Sequence, residues 1–242
     1  MALSRTNVHS QASAEPHGTG DFTTSSFTPP DNCLLVVAVA TMRVTTATDL
    51  TSSITCAGGG WTYTPRAGLG SNTDVFSVST RIFTAPVTTG ASMTLTIGTG
   101  GINMQFYAVS VVAYTGYDTG TPTGATGSLL VESAGTPDGA QSFTLSGAPA
   151  TDSEVFAAIT LDKDAAGTTP GAGWTEIHDV QAGGAGGVQS QIRTGSTSTT
   201  VAWVDTNTGG NIFKFVASAV EIKAAAGAGG PVLMPRAVHV AG

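Results

Sequence analysis

Ser26-Phe27-Thr28-Pro29-Pro30-Asp31, followed by Leu34-Leu35-Val36-Val37-Ala38-Val39, returns later in the chain as Ser142-Phe143-Thr144, Asp152 and Val155-Phe156-Ala157-Ala158-Ile159. Other pieces repeat in the same order. Gly59-Gly60-Trp61-Thr62 has its echo in Ala172-Gly173-Trp174-Thr175, Val78-Ser79-Thr80-Arg81-Ile82 in Val188-Gln189-Ser190-Gln191-Ile192, and Phe106-Tyr107-Ala108-Val109 in Phe213-Lys214-Phe215-Val216. The offset drifts from 116 (Phe27 to Phe143) through 113 (Trp61 to Trp174) to 107 (Phe106 to Phe213). Loops that lengthen and shorten between retained strands produce that drift. A repeat of this kind decides the fold before any local signal does, because each copy is one structural unit.

The repeated pieces are strand-like. Leu34–Met42 is continuously apolar, the mark of a strand covered on both faces. Phe76, Val78, Thr80 and Ile82 alternate with Ser77, Ser79, Arg81 and Phe83, and Met93, Leu95 and Ile97 alternate with threonines. Short strands are also expected at Ile54–Cys56, Trp61–Thr64 and Gln105–Tyr114, and in the second copy at Val155–Leu161, Trp174–Val180, Val188–Thr194, Thr199–Val204 and Asn211–Ile222. Glycine and proline punctuate them at the spacing of a sandwich or barrel. The expected fold is all-β: two tandem repeats of a β-sandwich or jelly-roll-like unit with extended N- and C-terminal arms. The expected division is 1–25 as an N-terminal arm or edge strand, 26–117 as the first repeat, and 118–127 as a linker. Residues 128–223 form the second repeat and 224–242 a spacer and tail.

Composition excludes several functions. The 242 residues carry nine Lys and Arg, a net charge of −7 and a pI near 4.8. Basic residues scattered singly give no nucleic-acid face and no attraction to an anionic membrane. Met1–Asn7 has no apolar core of a signal peptide, and no apolar run reaches transmembrane length.

Chemical motifs are sparse. His9, His17, His178 and His239 share no spacing, and none recurs in both copies. Asp162 and Asp164, with Asp179 or Asp205, resemble part of a calcium loop but lack its glycine and its later glutamate. The Gly-rich runs precede no helix, so they read as turns and not as phosphate cradles. Cys33 and Cys56 read as two free, half-buried thiols or as a disulfide between adjacent strands, the free state being favoured in the absence of a secretory context. Trp61 and Trp174 read as core anchors kept in both copies or as sugar-stacking platforms. Tyr63, Tyr107, Tyr114 and Tyr117 occur only in the first copy, which places any partner face there. No catalytic, cofactor or metal residue is assigned and no cofactor is expected.

The strand after the Pro-Asp turn, the Gly-Trp-Thr strand and the closing Val111-Val112-Ala113-Tyr114-Thr115-Gly116 together resemble modules of tailed-phage virion structural proteins. The resemblance spans most of residues 26–223 and rests on fold positions. It implies a non-enzymatic structural role in a bacteriophage virion, foremost capsid decoration on the head surface. The alternative is a tail-appendage or tail-tip protein that binds a host-surface carbohydrate receptor. The implied setting is the virion, with assembly in the host cytoplasm and other virion subunits as partners of a homo-oligomer. Pro231–Gly242 leaves Val232, Leu233, Met234, Val238 and Val240 beside a single charge, Arg236. Such an arm has most to gain against a neighbouring chain, so these six residues are the expected partner interface.

Overall fold

In the computed structural model the described residues are 2–14, 16–43, 52–71, 77–134, 139–161, 168–182, 186–205 and 212–226. Every regular element among them is a β-strand. The first copy contributes β1 (Ser4–Ala12), β2 (Phe22–Thr23), β3 (Cys33–Arg43), β4 (Thr55–Ala57), β5 (Thr64–Gly70), β6 (Ser77–Val87), β7 (Thr96–Gly98) and β8 (Phe106–Thr115). The second contributes β9 (Thr123–Ala134), β10 (Gly139–Thr144), β11 (Glu154–Leu161), β12 (Thr168–Pro170), β13 (Thr175–Gln181), β14 (Gly187–Thr194), β15 (Thr200–Asp205) and β16 (Ile212–Ile222).

The two copies have one topology. A five-stranded sheet runs β1-β8-β3-β6-β5 and its counterpart β9-β16-β11-β14-β13; a three-stranded sheet runs β2-β7-β4 and its counterpart β10-β15-β12. Each strand of the first copy corresponds to the strand eight places later, and every pairing is antiparallel. First with eighth, second with seventh and third with sixth is the pairing of a long hairpin rolled on itself. The unit is therefore jelly-roll-like, with its fifth strand attached beside the sixth.

The two units do not stand apart. Their five-stranded sheets pack face to face, β1 over β13, β8 over β14, β3 over β11, β6 over β16 and β5 over β9. The sheets thus stack in four layers of three, five, five and three strands, and the two units are related by a pseudo-two-fold axis. Three cores result. The shared one, between the large sheets, holds Leu34, Val36, Ala38, Val112, Phe156, Val188 and Val220 among others. The outer core of the first unit holds Cys33, Leu35, Val37, Phe22, Phe27 and Leu95. The outer core of the second holds Val155, Ala157, Phe143, Trp174 and Trp203.

This layering explains why β3 reads as apolar without a break. Its alternate residues enter two different cores, so no residue from Cys33 to Met42 is left to water. The same logic corrects the phase of the repeat. Leu34 faces the shared core and so does Phe156, whereas Val155 faces the outer one. The quoted runs are therefore one residue out of step, and a one-residue slip exchanges the two faces of a strand.

In strand terms the units run 4–115 and 123–222, so β1 lies wholly before the boundary at 26 drawn from sequence and β9 begins before the one at 128 and runs across it. β1 and β9 are sheet edges with half-exposed side chains, and a half-covered edge carries no continuous apolar run.

All four outer strands of the large sheets carry a register irregularity. It falls between Asn7 and His9, between Pro65 and Ala67, between Glu176 and His178, and where β9 meets Val220 and Ile222. A bulge bends an edge away from further pairing.

The turns before β5 and β13 are equivalent. Trp61 N donates to Gly58 O at 3.3 Å and Trp174 N to Gly171 O at 3.0 Å. Glycine is required at 59, where φ is +61° and a Cβ would lie 2.4 Å from the Trp61 ring.

Candidate functional site

The densest polar cluster lies where β1 meets β13 at the margin of the shared core. Glu154 starts β11 at the position where the apolar run Val155–Leu161 begins, which carries its carboxylate into the interior at 7% exposure. Its Oε1 accepts from the Tyr114 hydroxyl at 2.6 Å and lies 3.1 Å from Arg5 Nε; its Oε2 accepts from Thr194 Oγ1 at 2.7 Å. Both oxygens are thus committed, and the cluster joins β1, β8, β11 and β14. Burial first, and then the Glu154 charge, push the Tyr114 hydroxyl well above its usual range, so it stays a donor. A cleft of about 450 Å³ opens beside it, lined by Leu3, Arg5, Tyr114, Asp152, Glu154 and Thr194.

Further along the same margin His178 Nδ1 lies 2.7 Å from Ser110 Oγ, which lies 2.8 Å from Ser190 Oγ. The bulge between Glu176 and His178 sets that ring toward the shared core. A Ser–His contact is half of a nucleophilic triad. Here Ser110 sits in mid-strand at 0% exposure, and its hydroxyl is shared between two partners from the other unit. The arrangement braces one unit against the other and leaves no approach for a substrate. Burial first, then the charges of Arg5 and His9, hold the His178 imidazole below its ordinary proton affinity.

A third brace crosses near the middle, where Thr80 Oγ1 and Thr160 Oγ1 are 2.6 Å apart and Thr80 donates to Val216 O at 2.8 Å. Glu221 works alike within the second unit, accepting from Ala125 N and Ala150 N, each at 2.8 Å.

Of the residues singled out in the sequence, Tyr114 and His178 fall in these clusters and the rest lie elsewhere. Val232, Leu233, Met234, Arg236, Val238 and Val240 lie outside the described residues, as do His239, Asp162 and Asp164. Among the described residues no group of three His, Cys, Asp or Glu is placed to hold a metal ion.

His9 stacks on Phe27 with ring centres 4.9 Å apart, and His17 meets the edges of Phe22 and Tyr107. Cys33 and Cys56 are free, and burial raises their thiols to about 11 and about 12, so neither is a thiolate at neutral pH. Trp174 is buried in the outer core of its unit with Arg193 over its ring at 4.6 Å, while Trp61 is half-buried against the first unit's outer core. Tyr107 and Tyr114 are fully buried and form no partner face.

Glu154, Arg5, Ser110 and His178 were not visible as a group, since residues from four distant strands meet only when the sheets stack. One signal was present. In a chain with 10% charged residues, a glutamate bordering an apolar strand is costly unless it is bonded. No family model matches the chain, and no curated protein matches it in sequence.

Proposed function

We propose that this chain is a non-enzymatic structural protein of a bacteriophage virion, a decoration subunit of the capsid surface. The observation that carries the reading is the four-layer stack itself. Its polar groups at the unit boundary bond across it, as Glu154 and Ser110 do. Such a build serves rigidity. The bulged margins of both large sheets fit a subunit that must not polymerise edge to edge. Attachment to neighbouring virion subunits, in a homo-oligomer, is assigned to residues 231–242.

Quantitative mass spectrometry of purified particles tests this reading. Hundreds of copies per particle are expected, and absence from particles overturns it. A handful of copies would favour the second reading, a tail appendage that binds a host glycan, for which half-buried Trp61 is the supporting observation.

A further inference from the structure

The pseudo-two-fold axis gives the shared core two equivalent margins, β1 against β13 and β5 against β9. The second is closed by Leu69 and Leu130, and neither strand contains a histidine. The first has aliphatic cover from Ala12, Ile177 and Val180 and adds to it the hydrogen-bonded run from His178 through Ser110 to Ser190.

The surroundings of His178 lean toward positive charge. β1 brings Arg5 and His9 close enough to act on the ring electrostatically. β8 and β14 bring only the hydroxyls of Ser110 and Ser190. On its own strand Glu176 accepts from Gln189 at 2.9 Å and Asp179 from Gln181 at 2.8 Å. Glu154 on β11 is occupied by Arg5, Tyr114 and Thr194. Glu176, Asp179 and Glu154 thus each have a partner other than the His178 ring.

We propose that the β1/β13 margin is an acid-operated latch: protonation of His178 beside Arg5 and His9 loosens the N-terminal strand from the edge of the second unit, while the β5/β9 margin stays closed as a hinge. The sign follows from linkage. The closed margin holds His178 neutral, so the opened form binds more protons as the pH falls through the ordinary imidazole range near about 6.5. One proton shifts the opening equilibrium by up to about tenfold per pH unit, and the shift levels off once the closed form also titrates. The Ser110 hydroxyl can turn its proton from His178 to Ser190, so the hydrogen bond survives protonation. The penalty is charge on charge, and salt screens it.

Hydrogen exchange of the full chain, normalised for the intrinsic rate, tests the latch between pH 7.5 and 5.5, above the carboxylate range. Segments 4–12 and 175–181 are expected to lose protection several-fold across that interval, by less in 1 M salt, while 64–70 and 123–134 keep theirs. Equal loss at both margins, or none, overturns the proposal. His178→Gln keeps an acceptor for Ser110 and should abolish the pH dependence; dependence that persists in that variant also overturns it. Should the variant fail to fold, an NMR titration of His178 in the unaltered chain decides. A midpoint clearly below 6.5 supports the latch, and one at or above it does not.

Discussion

The β1/β13 and β5/β9 margins are the same contact made twice by duplication, and both lay aliphatic side chains on the shared core, Ala12, Ile177 and Val180 at one and Leu69 and Leu130 at the other. They differ in what is added: the first carries an ion pair, a buried carboxylate and a serine–histidine run, the second Arg66 donating to Thr84 on the neighbouring strand at 2.7 Å. The outer cores diverge in the same way. The first is filled by Phe22, Phe27, Met93 and Leu95 with two thiols, the second by Trp203 and Trp174 above the buried amides of Gln189 and Gln191. Strand order survived duplication because it is fixed by pairing and turns. What fills the space between sheets was free to change, provided the volume was filled. The polar groups that came with the new filling are bonded only in part: Gln191 Nε2 donates to Ala202 O at 2.9 Å, while Gln191 Oε1 and Trp203 Nε1 meet no partner among the described residues.

The largest effect should come from the outer cores. Trp203 is fully buried, with Phe143 and Phe215 packed on it at centroid distances of 6.3 and 5.8 Å. Trp203→Ala should cost about 3–5 kcal/mol in chemical denaturation. Trp61→Ala, at a half-buried site, should cost about half as much. Equal losses would mean that the two outer cores are not as unlike as their fillings.

Next comes the polar margin. Glu154→Ala leaves Tyr114 and Arg5 without their acceptor. Because Arg5 is 23% exposed, the cost should sit at about 2–3 kcal/mol, below the full range for a broken buried pair. Tyr114→Phe should cost about 1–2 kcal/mol, and the two losses should fail to add. Additive losses would separate the tyrosine from the carboxylate.

Smaller again is the aliphatic margin. Leu130→Ala, at a partly buried site, should cost about 1–2 kcal/mol, with the same value at pH 7.5 and 5.5. The smallest effect is that of acid alone. With His178 held neutral in the folded state, stability should be flat above about pH 7 and decline by less than about 1.4 kcal/mol per pH unit below about 6.5. A decline of equal size in His178→Gln would assign it to other groups.

The central strands were legible in the sequence because both faces enter a core: Leu34–Met42 and Val155–Leu161 match β3 and β11 to within a residue or so. Edge strands were so only in part. β1, β5 and β13 are short of apolar residues because one side meets water and a bulge breaks their alternation. Of these β13 was anticipated along nearly its whole length, by Trp174–Val180; Trp61–Thr64 reaches only the first residue of β5, and β1 lies within the stretch 1–25 read as an arm or edge strand. The tyrosines misled because residue type was read as exposure; Tyr107 and Tyr114 are buried with their hydroxyls bonded to Thr99 and Glu154. The candidate site was illegible for a different reason. Arg5, Tyr114, Glu154 and Thr194 are brought together by the stacking of two large sheets, a relation between the copies that no pattern within either copy encodes.

The pseudo-two-fold axis also bears on heredity. In a homodimer of identical units any substitution appears at both symmetry-related contacts, so a histidine gained at one margin is gained at the other. Fusing the halves into one chain lifts that constraint. A single base change now alters a single margin, and selection can act on one contact while its twin is left as it was. Glu154 and His178 occupy one margin and leave the other aliphatic, an asymmetry open to a covalently joined pair and closed to a symmetric dimer.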